Sequence, residues 1–177
     1  MRKIILSLFI GTILWSCGGN KEKAAGTTTD STSKTIADLP YTASYSGSFS
    51  DNVSDADLKM VLVSYKDWAD GNMSNVSKAY GDTLTWDKAS GEHYKLPNAG
   101  IMKMWSTYRD SLSSVSIDME AWRKMYSTDR KEGFIVAWYK ETDTYKTGHV
   151  DSAYYNDINQ VKDGKIVWLS QYRRDAK

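Results

Sequence analysis

A single cysteine among 177 residues rules out an internal disulfide, so the fold rests on burial and hydrogen bonding. The two histidines, His93 and His149, are far apart in sequence. With no second thiol they fall short of the usual ligand sets, so no metal and no cofactor is expected. Net charge is +1 and no Lys/Arg-rich block occurs. Phosphate-backbone binding needs such a stripe, so nucleic acid is not an expected partner. There is no Gly-rich phosphate loop and no G-x-S-x-G nucleophile elbow. What the chain does have is aromatic bulk, with seven tryptophans and twelve tyrosines in a sequence that is 41% hydrophobic. That is enough for one domain with a sizeable core.

The first forty residues are set apart. Arg2-Lys3 precedes an apolar run, Ile4 to Trp15, too short for a stable span, and Ser16 stands directly before Cys17. Leu14-Trp15-Ser16-Cys17 resembles the lipobox of a bacterial lipoprotein signal. The resemblance implies that residues 1–16 are removed and that Cys17 carries the acyl chains of a membrane anchor. Gly18 after the cysteine implies an outer-membrane lipoprotein of the cell envelope. Gly18 to Asp38 is rich in Thr, Ser, Lys and Gly and reads as a flexible tether, so residues 17–40 are expected to link the anchor to a domain over 41–177.

Within that domain the segment Gly133 to Arg174 organises the rest. Phe134 to Asp143 is rich in β-branched and aromatic residues, Thr147-Gly148 turns it, and Asp163-Gly164 turns it again before the alternation Ile166, Trp168, Ser170, Tyr172. Three long strands joined by hairpins follow. Upstream, Ser54 with Asp57 three residues on caps a helix whose apolar positions run Leu58, Val61, Leu62, Tyr65, Trp68 and which Gly71 stops. A shorter helix from about Asn72 ends at Gly81, and a strand covers Asp82 to Asp87. A polar loop is expected to hold His93, Pro97-Asn98 opens a third helix with Ile101, Met104, Trp105 and Tyr108, and Ser114 to Tyr126 alternates as a further strand.

Helix, helix, strand, helix and four strands make an α+β domain. The expected form is a cone-shaped, strongly curved antiparallel sheet with three helices packed on its concave face. That order, together with Trp68-Ala69-Asp70-Gly71-Asn72, Tyr80-Gly81-Asp82, Asp163-Gly164-Lys165-Ile166 and Gln171-Tyr172, resembles the nuclear transport factor 2-like superfamily, and within it the SnoaL-like branch. The resemblance spans about Val53 to Arg174. It implies a pocket between helices and sheet, in a superfamily of isomerases, cyclases, dehydratases and non-catalytic binders. The tyrosine of its ketosteroid isomerases falls on Ser64, with Tyr65 turned about 100° around the helix. Their general-base position falls on Lys88 beside Asp87, and their second aspartate on Asp157 or Asn156.

Asp157 in an apolar pocket would have a raised carboxyl pKa and could donate a hydrogen bond or a proton. His149 and Asp151, two apart on a strand, would share a face, with the carboxylate orienting an imidazole base. Tyr65, Trp86, Trp105, Trp138 and Tyr155 are the expected ligand-contacting rings of the cone. The mismatched tyrosine and base favour a membrane-anchored domain that binds a small apolar or aromatic ligand without catalysis. The alternatives are a SnoaL-like isomerase, cyclase or dehydratase, and an interaction module that forms a homodimer through the outer sheet face.

Overall fold

A computed structural model describes residues 39–176. Ser54 opens the first helix, α1 (Asp55–Asp70), as an N-cap whose Oγ accepts from the Asp57 amide at 2.9 Å. Gly71 closes it with φ 77°, a left-handed conformation that other residues adopt only under strain. Helix α2 (Met73–Ala79) follows almost at once, and α3 is Asn98–Arg109. Two side chains bolt the three together. Asn98 Nδ2 donates to the carbonyls of Ser77, Tyr80 and Gly81, fixing the start of α3 on the end of α2. The Arg109 guanidinium donates to the Trp68 and Ala69 carbonyls at 3.1 and 2.9 Å, satisfying orphan acceptors at the end of α1.

Among the described residues, seven strands form one sheet: β1 (Phe49–Ser50), β2 (Tyr80–Asp87), β3 (His93–Pro97), β4 (Leu112–Ser127), β5 (Glu132–Tyr145), β6 (Val150–Lys162) and β7 (Lys165–Asp175). Their spatial order is β1-β4-β5-β6-β7-β2-β3, curled but not closed. The Asp163-Gly164 hairpin forms as its sequence demands, with φ of 52° and 70°. The α+β class and the helix-covered sheet agree with the sequence reading, but two details correct it. His93 lies on a strand, not in a polar loop, because Tyr94 and Leu96 alternate inward against β2. The sheet is also mixed rather than wholly antiparallel, since β2 runs parallel to β7.

Register decides what faces the helices. Ala137 on β5, Asp157 on β6 and Gln171 on β7 lie side by side, as do Tyr139, Tyr155 and Arg173. Ile135 and Leu169, on the same faces of β5 and β7, are buried in the core with Val61 of α1, Ile101 of α3 and Leu84 of β2. Each such side chain contributes about 1.5–3 kcal/mol by leaving water. Trp138, Asn156 and Tyr172, one step along each strand, therefore point away from the helices. Irregular register in β4 after Met119, and between β6 and β7 at Gln160/Val161, adds local bend to the sheet.

Candidate functional site

Between the helices and the concave face lies a cavity of about 670 Å³. That is within the ordinary range for small-molecule sites. On its wall stands Asp157, 1% exposed. Tyr65 Oη of α1 and Tyr139 Oη of β5 both donate to Asp157 Oδ2, at 3.0 and 2.9 Å. Asn159, two residues along β6, donates Nδ2 to Tyr65 Oη at 3.0 Å and so fixes which way that hydroxyl points. Gln171 Nε2 lies 3.4 Å from both Asp157 oxygens, while its Oε1 accepts from Trp86 Nε1 at 2.8 Å. Burial pushes the Asp157 carboxyl up to about 6, with the Tyr139, Tyr65 and Gln171 donors pulling the other way. Oδ1, with only the long Gln171 contact, is the oxygen with lone pairs to spare.

Further along β5, Glu141 also lines the cavity. Burial, then the charges of Asp143 and Asp157, push its carboxyl up to about 8 against the Trp68 indole and Arg109. It is neutral at pH 7. Asp143, 5% exposed, accepts from Tyr108 Oη at 2.7 Å, yet its Oδ1 has no partner. Burial raises this carboxyl too. Aromatic rings fill much of the remaining wall. Tyr139 stacks on Tyr155 at 5.3 Å, Trp86 meets Trp105 edge-on at 5.3 Å, and Trp68 lies parallel to Tyr108 at 6.2 Å.

The residues nominated from sequence divide. Tyr65, Trp86, Trp105, Tyr155 and Asp157 all line the cavity. Trp138 does not: it is 37% exposed on the opposite face, because Ala137 is the residue that pairs with Asp157. Of the two alignments for the second aspartate, Asp157 faces inward and Asn156 sits between Trp138 and Tyr172 outside. His149 is exposed in the β5–β6 turn, its ring 5.4 Å from that of Tyr145. Among the described residues no hydrogen bond joins it to Asp151, which pairs with Arg173 at 2.8 Å. The turn takes His149 off the strand alternation that would have aligned the two. Asp87 is held by His93 Nδ1 at 2.5 Å and Trp168 Nε1 at 2.6 Å, leaving Lys88 on the cavity wall. Ser64 Oγ donates to the Val61 carbonyl, and its neighbour Tyr65 is the α1 residue that reaches the aspartate. Cys17 and the tether lie outside the described residues. Tyr139 and Glu141 were not singled out from sequence, and Gln171 only as part of the resemblance motif, since their spacing on the strands carries no chemical signature until the register is known.

No protein-family model and no curated protein matches the sequence. Solved structures do. An LEH-like epoxide hydrolase from M. tuberculosis is 9% identical, with 67% of this chain superposed on 83% of that one at a TM-score of 0.57. An NTF2-like protein of unknown function from Burkholderia xenovorans is 16% identical over 70% and 86% of the two chains, at a TM-score of 0.52. TerC co-crystallised with polyporic acid is 15% identical over 68% and 92%, at a TM-score of 0.54. Helix order, sheet order and these superpositions agree: the chain has the nuclear transport factor 2-like fold.

Proposed function

We propose that the cavity holds a flat, largely apolar small molecule and that Asp157 accepts a proton from one of its carbon atoms, as in an isomerase, cyclase or dehydratase. The observation that carries this reading is a single buried carboxyl at the cavity wall, oriented by two tyrosine hydroxyls and pushed up to about 6. Such a group is ionised at pH 7 and yet basic enough to take a proton from carbon. Tyr65 and Tyr139 saturate Oδ2, which directs the incoming proton to Oδ1. The ring-lined wall excludes water and would align a planar substrate against the Tyr139–Tyr155 stack. Having Asp157 inside the cavity supports proton transfer over binding without catalysis.

The test is deuterium incorporation from D₂O into α-tetralone, a flat bicyclic ketone with acidic C–H bonds, followed by NMR. Exchange should exceed the buffer rate, rise through about pH 6, and fall by about 10²-fold in Asp157→Asn. Saturable binding of planar ketones with no exchange above buffer would instead leave a binding protein.

The domain is proposed to work at the cell envelope, tethered through an acylated Cys17. Labelled palmitate should enter the wild-type chain in the membrane fraction. The Cys17→Ser chain should take up no label and leave that fraction; equal labelling of both would remove the anchor from the proposal.

A further inference from the structure

We infer that the Glu141 side of the cavity seats an organic cation, an amine or quaternary ammonium borne on the flat body of the ligand, with Glu141 as its counter-ion. The inference rests on the cavity being a small-molecule site and does not depend on proton transfer.

Glu141 is a cavity-wall carboxyl without a cation: none of the ion pairs among the described residues includes it. The positive side chains nearby are committed elsewhere. Arg173 pairs with Asp151 and Asp175, and Lys88 pairs with Glu92, while Arg109 hydrogen-bonds the Trp68 and Ala69 carbonyls and reaches Glu141 only through its charge. Two further carboxyls face Glu141 closely enough for their charges to act on it, Asp143 from its own strand and Asp157 from β6. Among the described residues, none donates to Oδ1 of Asp143. Three carboxyls thus stand against the single Arg109 guanidinium that acts on Glu141, an imbalance that a ligand cation would offset.

The rings around this carboxyl suit a cation as well. Trp68, whose indole acts on Glu141, lies parallel to Tyr108, and both line the cavity. Tyr155, on whose phenol the Glu141 charge also acts, lines the same cavity. Aromatic faces attract ammonium groups, the more strongly when water is excluded. A neutral ligand would leave Glu141 protonated, whereas a cation reverses the sign of every carboxylate interaction and favours the ionised form. Cation binding and proton release are then linked.

Isothermal titration of the intact domain with tryptamine, tryptophol and indole-3-propionate separates these cases, since the three share a ring system and differ in charge. Tryptamine should bind at least about tenfold more tightly than either of the others. In Glu141→Gln that preference should vanish while tryptophol affinity stays the same, with unfolding curves confirming a folded variant. Repeating the titration in buffers of different ionisation enthalpy should show nearly one proton released per tryptamine at pH 7, because Glu141 titrates at about 8, and little release near pH 9. Saturable binding of tryptophol or indole-3-propionate as tight as tryptamine would overturn the cation site and leave the small-molecule reading standing. No saturable heat from any of the three would overturn both.

Discussion

Replacing Glu141 with glutamine is expected to raise the melting temperature at pH 9 and to leave it almost unchanged at pH 5. The Glu141 carboxyl sits at about 8 in the folded protein against an ordinary 4.5, so the folded state holds its proton more tightly than the unfolded chain. The stability this carboxyl contributes is complete below pH 4.5 and is lost as pH rises through about 8. At pH 9 the wild-type protein must carry a buried carboxylate that glutamine never carries. The shift alone corresponds to an upper bound of ~5 kcal/mol. Solvent at the cavity mouth screens part of it, leaving about 2–3 kcal/mol, or roughly 5–10 °C in a domain of this size. Calorimetry at pH 5, 7 and 9 checks the sign. A variant less stable than wild type at pH 9 would mean that Glu141 is ionised and well solvated there. Asp157 acts in the same sense over a lower window, its contribution lost as pH rises through about 6.

The second large effect concerns the two tyrosines. In the double variant Tyr65→Phe/Tyr139→Phe, Asp157 Oδ2 loses both hydroxyl donors, and the Asp157 midpoint should climb from about 6. Hydrogen bonds to a charged group are worth about 1.5–3 kcal/mol each against about 0.5–1.5 for neutral ones, so the difference over two bonds should raise the midpoint by about one to two units. Carbon-13 NMR of labelled aspartate reads it directly. Stability should fall by about 2–4 kcal/mol at pH 8, where wild-type Asp157 is ionised, and by less at pH 4, where the lost bonds are neutral ones. The single variants should not be equivalent. Tyr65→Phe also strips Asn159 Nδ2 of one of its two acceptors, leaving the Ile135 carbonyl, so it should cost about 1 kcal/mol more than Tyr139→Phe. Equal costs, or an unmoved Asp157 midpoint, would show that the hydroxyls do not carry the carboxylate.

Much of this architecture was legible from local chemistry. Ser54 and Gly71 bound α1 because capping is decided within a few residues, and Asp163-Gly164 sets a hairpin because both positions tolerate positive φ. Asp157 and four of the five nominated rings could be named in advance, since turns fix strand register and the family resemblance marks the position. Trp138 shows where this fails. Strand alternation says that Trp138 and Tyr139 face opposite ways, but only the pairing of Ala137 with Asp157 says which of them meets the helices. Glu141 was illegible for a related reason: its raised pKa comes from burial and from two carboxyls, one of them on another strand. Strand β3 carried the signal of Tyr94 and Leu96 alternating with His93 and Lys95, but over five residues only. The parallel pairing of β2 with β7 joins segments about eighty residues apart, and no turn between neighbours announces it.

That parallel pairing orders events in time. As the chain is synthesised, β2 and β3 emerge well before residues 165–175, the only strand to which β2 attaches them within the sheet. Until β7 arrives, the β2–β3 pair has no place in the rest of the sheet, and the cavity wall lacks Leu169, Gln171 and Arg173. Strand β7 is thus the keystone, and the sheet closes on β2 only after residues 165–175 have been made.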